Sequence, residues 1–119
     1  MNLRRALLIA VCLLPSVAGT AAAQQEASCI SDFAKLRDDA REKADAIRAA
    51  SARRASPQEA CQLFNEFSAA ETKMLKYAFD TTGRCAIPPQ VIETLKQSVA
   101  HTAEIRTKVC QAAAAPPIR

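Results

Sequence analysis

Four cysteines, one histidine and one glutamate in an apolar setting are the residues of this chain whose chemistry asks for an explanation. The cysteines are Cys29, Cys61, Cys85 and Cys110, and a fifth, Cys12, lies in an apolar N-terminal stretch. The gaps between the four are 31, 23 and 24 residues. Zinc and thiol redox sites want close pairs such as C-x-x-C, and none occurs. Widely spaced cysteines in even number suit a disulfide framework instead. His101 is the lone histidine, on a polar helix face, so a surface position is expected. There is no G-x-S-x-G motif and no glycine-rich phosphate loop. No catalytic residue, metal or cofactor is therefore expected.

The glutamate is Glu71, in "FNEFSAAETKMLKYAF". At about 100° per residue it shares a direction with Ala60, Phe64, Phe67 and Ala78. A lone buried carboxylate costs several kcal/mol, so Glu71 needs a partner. Arg106 is a matching oddity, within the stripe of Leu95, Val99, Thr102 and Val109.

The elements that must position these groups are helices. The chain beyond the N-terminal stretch is rich in Ala, Lys, Arg, Glu, Gln and Leu, all good helix formers. It has no alternating β-branched run. A first helix is expected over about Ser28 to Ala52, with Cys29, Phe33, Leu36, Ala40, Ala44, Ile47 and Ser51 on one face. A second runs from about Pro57 to Thr81. Ser56 is its cap, Pro57 takes the first turn and Glu59 completes a capping box, while Gly83 supplies the stop. A third spans about Pro89 to Ala113. The expected fold is an antiparallel three-helix bundle over residues 24–113, stapled by two disulfides. A C-terminal tail follows over residues 114–119.

Helix length selects the pairing. Each helix rises roughly 36 Å, and short loops make neighbours antiparallel. Cys29 and Cys85 then fall at one end, Cys61 and Cys110 at the other. Bridged Cα atoms lie within roughly 7 Å, so the expected bridges are Cys29–Cys85 and Cys61–Cys110. This alignment sets Glu71 level with about Ala100. Thr102 is near that level, Lys43 of the first helix is at a similar height, and Arg106 is roughly 9 Å along the axis. Glu71 is expected to be semi-buried, hydrogen-bonded to Thr102 and paired with Arg106 or Lys43. Its functional alternative is a carboxylate kept for a ligand or a proton-linked switch.

The N-terminus, "MNLRRALLIAVCLLPSVAGTAAAQQ", reads as a secretory signal: Arg4 and Arg5, an apolar run, then the small residues Ala21-Ala22-Ala23. The run is too short to span a membrane. Cleavage after Ala23 would leave 96 of the 119 residues, and all four framework cysteines. Without Arg4 and Arg5 the net charge falls from +4 to +2. No block of like charge remains, so nucleic-acid binding is not expected.

A cysteine followed by "FAKLRDDAREKADAI", then "CQLFNEFSAAETKMLKY", "CAIPPQVIETLKQSVAHT" and "IRTKVC", resembles a group of small exported four-cysteine helical proteins of proteobacteria. The resemblance covers nearly all of the chain beyond residue 23. It implies a periplasmic location and no established activity. The expected function is a non-catalytic binding or interaction protein with a protein partner, of a chaperone-like or envelope-associated kind. The alternative is a carrier of a small apolar ligand between the helices.

Overall fold

The computed structural model describes residues 20–116, with side chains from residue 27. The apolar stretch before Thr20 lies outside the described residues, as do the last three of the chain. Three helices follow in order: α1 (Thr20–Ala52), α2 (Pro57–Cys85) and α3 (Pro89–Ala114). They form an all-α three-helix bundle stapled by Cys29–Cys85 and Cys61–Cys110. The bridged Cα atoms are 5.6 and 4.8 Å apart, as the antiparallel arrangement requires.

The helices do not contribute equally. α2 packs against both α1 and α3, whereas no Cα of α1 comes within 8 Å of a Cα of α3. α2 is therefore the centre and the others its flanks. Its buried positions are correspondingly many: Ser68, Ala70, Glu71, Met74, Ala78 and Thr81. The core joins Ala40 of α1, Ala70, Met74 and Ala78 of α2, and Leu95 of α3. Phe33, Leu36, Phe67, Leu75, Ile87, Val91 and Ile92 pack around it, each half-buried. Small residues at the centre let the backbones approach, and large ones fill the margins.

Helix ends depart from the sequence expectation in four places. α1 begins at Thr20, eight residues early. The segment Ala21–Ala27 consists of Ala, Gln and Glu, strong helix formers that extend the helix without tertiary help. At its other end Ala50 is buried and Ser51 exposed, so the apolar stripe closes on Ala50. The chain leaves α1 through Arg54 at φ 55°. Ala55 N–H reaches Ala50 O at 2.9 Å and Arg54 N–H reaches Ser51 O at 3.1 Å. These are the two bonds of a Schellman cap, with arginine where glycine is usual.

α2 passes through Gly83 and ends only after Cys85; Ala86, at φ 48°, is the left-handed residue. The stop is set downstream: Pro88 disfavours helical geometry at Ile87. Gly83 thus lies inside the helix with no special backbone angle. At the start of α2, Ser56 Oγ accepts the Glu59 N–H at 3.2 Å. The Glu59 carboxylate does not complete a capping box. It is taken by the forked guanidinium of Arg53, which donates to both of its oxygens. A bidentate, charge-assisted contact outcompetes a neutral N–H. The hydrogen bonds from Arg53 hold the Glu59 carboxyl below the usual range and push the Arg53 guanidinium up.

Candidate functional site

Four polar residues are buried among the described residues: Ser68, Glu71, Thr81 and Thr102. Thr81 is satisfied within its own helix, donating to Tyr77 O at 2.6 Å. The other three lie on the seam between α2 and α3. Glu71 is 5% exposed, and Ser98 Oγ donates to its Oε1 at 2.6 Å. Its Oε2 is buried with no hydrogen-bond partner. Arg106 reaches across the seam one turn away, where Nη1 donates to Ser68 Oγ at 3.4 Å.

Glu71 is thus bound to Ser98 rather than Thr102, and no ion pair joins it to Arg106 or Lys43 among the described residues. The register explains the substitution. With Cys61 bridged to Cys110, Glu71 is level with Ala100. Ser98 and Thr102 lie one turn apart on either side, equally near along the axis. Level alone does not choose between them. Arg106 stands three residues from the level of Ser68 but six from that of Glu71, roughly 4.5 against 9 Å. It takes the nearer acceptor. Lys43 is half-buried on α1, on the far side of α2 from this seam.

A second feature lies at the Cys29–Cys85 end. A surface groove of about 310 Å³ runs between the first turns of α1 beyond Cys29 and the Ala86–Val91 segment. Ile30, Phe33, Ala34, Ile87, Pro88 and Val91 line it beside the disulfide, and Arg37 is its one charged residue. Ile30 is 66% exposed, the most exposed of the large apolar side chains described. Phe79, 49% exposed, is partly covered by Lys96, whose Nζ lies 5.1 Å from the ring centroid. Beneath the groove, Tyr77 fixes the disulfide corner. Its hydroxyl donates to Cys29 O at 3.5 Å, and its ring meets Phe33 at a centroid distance of 6.4 Å.

This groove was not foreseen from sequence, because Ile30 falls outside the apolar stripe that Cys29 and Phe33 define. The signal was there in an unpaired isoleucine next to a bridge cysteine. His101 is exposed on α3. Among the described residues no group of three or more His, Cys, Asp or Glu is placed to hold a metal ion. No helix of the described residues is long and apolar enough to cross a membrane. No family model, curated protein or solved structure matches the chain.

Proposed function

We propose that the chain is a non-catalytic interaction protein of the periplasm, one of the exported four-cysteine helical proteins it resembles, and that it binds a protein partner through the groove at its Cys29–Cys85 end. The observation that carries this reading is the exposed Ile30 on the rim of an apolar groove whose walls are cross-linked. A fixed apolar surface binds without first losing conformational freedom. The groove's volume fits one or two apolar side chains of a partner segment. It is at the low end for a site that envelops a small ligand. The centre of the bundle is filled by Ala40, Ala70, Met74, Ala78 and Leu95, which gives a ligand carrier less support. The two disulfides favour an oxidising compartment, in keeping with the signal-like N-terminus.

A photo-cross-linking residue placed at position 30 of the exported protein tests the reading. A control at His101, exposed on α3, reports non-specific capture. The expected result is a discrete protein adduct from position 30 that Val91→Asp, on the opposite wall, abolishes. Identical adducts from both positions, or adducts with lipid or self alone, overturn it.

A further inference from the structure

We propose that the opposite end of the molecule, beside Cys61–Cys110, holds a binding site for a carboxylate. A shallow, open hollow of about 530 Å³ lies there on the surface between α2 and α3, and Asn65, Arg106, Thr107, Gln111 and the disulfide line it. It shares no residue with the groove at Cys29–Cys85.

Arg106 is the centre of the argument. Its side chain is half-buried, and a guanidinium offers five donors in a rigid fork. Its one side-chain hydrogen bond among the described residues runs to a neutral hydroxyl, Ser68 Oγ, at 3.4 Å. That is beyond the usual N–H···O range. No carboxylate lies within 4.0 Å of it among the described residues. A partly desolvated charge calls for an opposite charge, and the described residues supply none. Glu71, the nearest candidate in the seam, is held by Ser98 through Oε1 and turns Oε2 to no donor.

The rest of the lining favours a ligand that accepts hydrogen bonds. Among the described residues Asn65 Nδ2 donates only to Cys61 Sγ, at 3.8 Å, and sulfur is a weak acceptor. The amide of Gln111 makes no side-chain hydrogen bond among the described residues. Thr107 gives its hydroxyl proton to Ala103 O at 2.9 Å and so does not compete for the ligand. No acidic residue lines the hollow. One formal positive charge with two neutral amides balances a monoanion, whereas a phosphate dianion would keep an uncompensated charge. A carboxylate matches the guanidinium fork with two parallel bonds. The disulfide and Ala114 give its carbon skeleton an apolar floor.

The carboxylate has two possible sources, a free small acid or the C-terminus of a peptide. The test is a titration of the oxidised protein, read by ¹⁵N NMR at the Arg106 Nε–H and the Asn65 and Gln111 side-chain amides. The probes are acetate, the peptide acetyl-Ala-Ala-Leu with a free C-terminus, and the same peptide amidated. Saturable shifts with acetate and the free acid, and none with the amide, are the expected result. Tighter binding of the peptide acid than of acetate assigns a peptide C-terminus, and equal binding assigns small acids. Arg106→Gln should weaken binding about tenfold or more, the worth of a charge-assisted pair. Asn65→Leu, at an exposed position, should weaken it a few-fold with an unchanged melt. The proposal is overturned by unsaturable shifts, by equal binding of the amide, or by unchanged affinity in the folded Asn65 and Arg106 variants. It is also overturned if Glu71→Gln, rather than ligand, moves the Arg106 resonance, since Arg106 would then already be paired.

Discussion

Glu71 keeps one carboxylate oxygen out of water without a donor to meet it. An unsatisfied buried polar atom costs on the order of 1–3 kcal/mol, and well-packed apolar replacements of buried charged groups are often stabilising. Glu71→Leu should therefore raise stability by about 1–2 kcal/mol, read as a higher denaturation midpoint at unchanged slope. Ser98 loses its acceptor in this variant, but it is exposed and turns to water. A loss of more than about 1 kcal/mol would mean that Oε2 has a partner in solution. The position of this carboxylate was legible in the sequence, because 100° spacing fixes which face a residue takes. Its partner was not. Ser98 and Thr102 differ by one turn, and only side-chain rotamers separate them. Arg106 also looked like a partner for Glu71, since both interrupt apolar stripes, yet each found its own hydroxyl.

The helices were legible in type and nearly in extent, because their apolar periodicity and the Ser56-Pro57 start are local signals. The C-terminal end of α2 was not. Gly83 was expected to mark it, yet the left-handed residues among those described are Arg54 and Ala86, while Gly83 stands in a helical turn. Pro88 and the Cys85 bridge decide where α2 stops; the proline acts locally on Ile87, whereas the bridge exists only in the assembled chain. Two substitutions follow. A methyl group on Gly83 would meet nothing within 4 Å, so Gly83→Ala should add about 0.5–1 kcal/mol, by thermal or urea melts. Ala86→Gly relieves left-handed strain and should also stabilise, by up to about 1 kcal/mol, less the entropy it gives the unfolded chain. A fall in stability for Gly83→Ala would mean that α2 ends earlier than Cys85. The α1–α2 turn makes a third prediction. Arg53 lowers the Glu59 carboxyl from the usual range through its hydrogen bonds. A depressed carboxyl stabilises the fold above its unfolded-state value, and the contribution is lost as pH falls through the folded-state value. Arg53→Ala should move the Glu59 titration, followed by side-chain ¹³C NMR, up toward the ordinary range. Because the pair is exposed, stability should change little.

At the scale of the molecule, the disulfide map came from helix length alone, since antiparallel rods admit only end-to-end partners. What sequence could not give is that the backbones of the flanking helices stay more than 8 Å apart, because amphipathicity says which face is buried but not how many neighbours bury it. With so thin a core the bridges carry much of the stability. Cross-linking loops of 56 and 49 residues is worth roughly 4 kcal/mol each in the chain-entropy model. Replacing either pair by alanine should lower Tm by more than about 10 °C, and an unchanged melt would mean the bridge is thermodynamically idle. The proposed export predicts Gln24 at the N-terminus of the protein by mass spectrometry, and an intact Met1 on the folded protein would remove the periplasmic proposal. The central place of α2 has one more consequence. With no Cα of α1 within 8 Å of one of α3, the backbone packing runs through two links, α1 to α2 and α2 to α3, much as in a short repeat array. Each link has its own covalent clamp. Either flank can then open while the other interface stays closed, so amide hydrogen exchange should resolve two separate sub-global unfolding units that share α2 as their slowest-exchanging element.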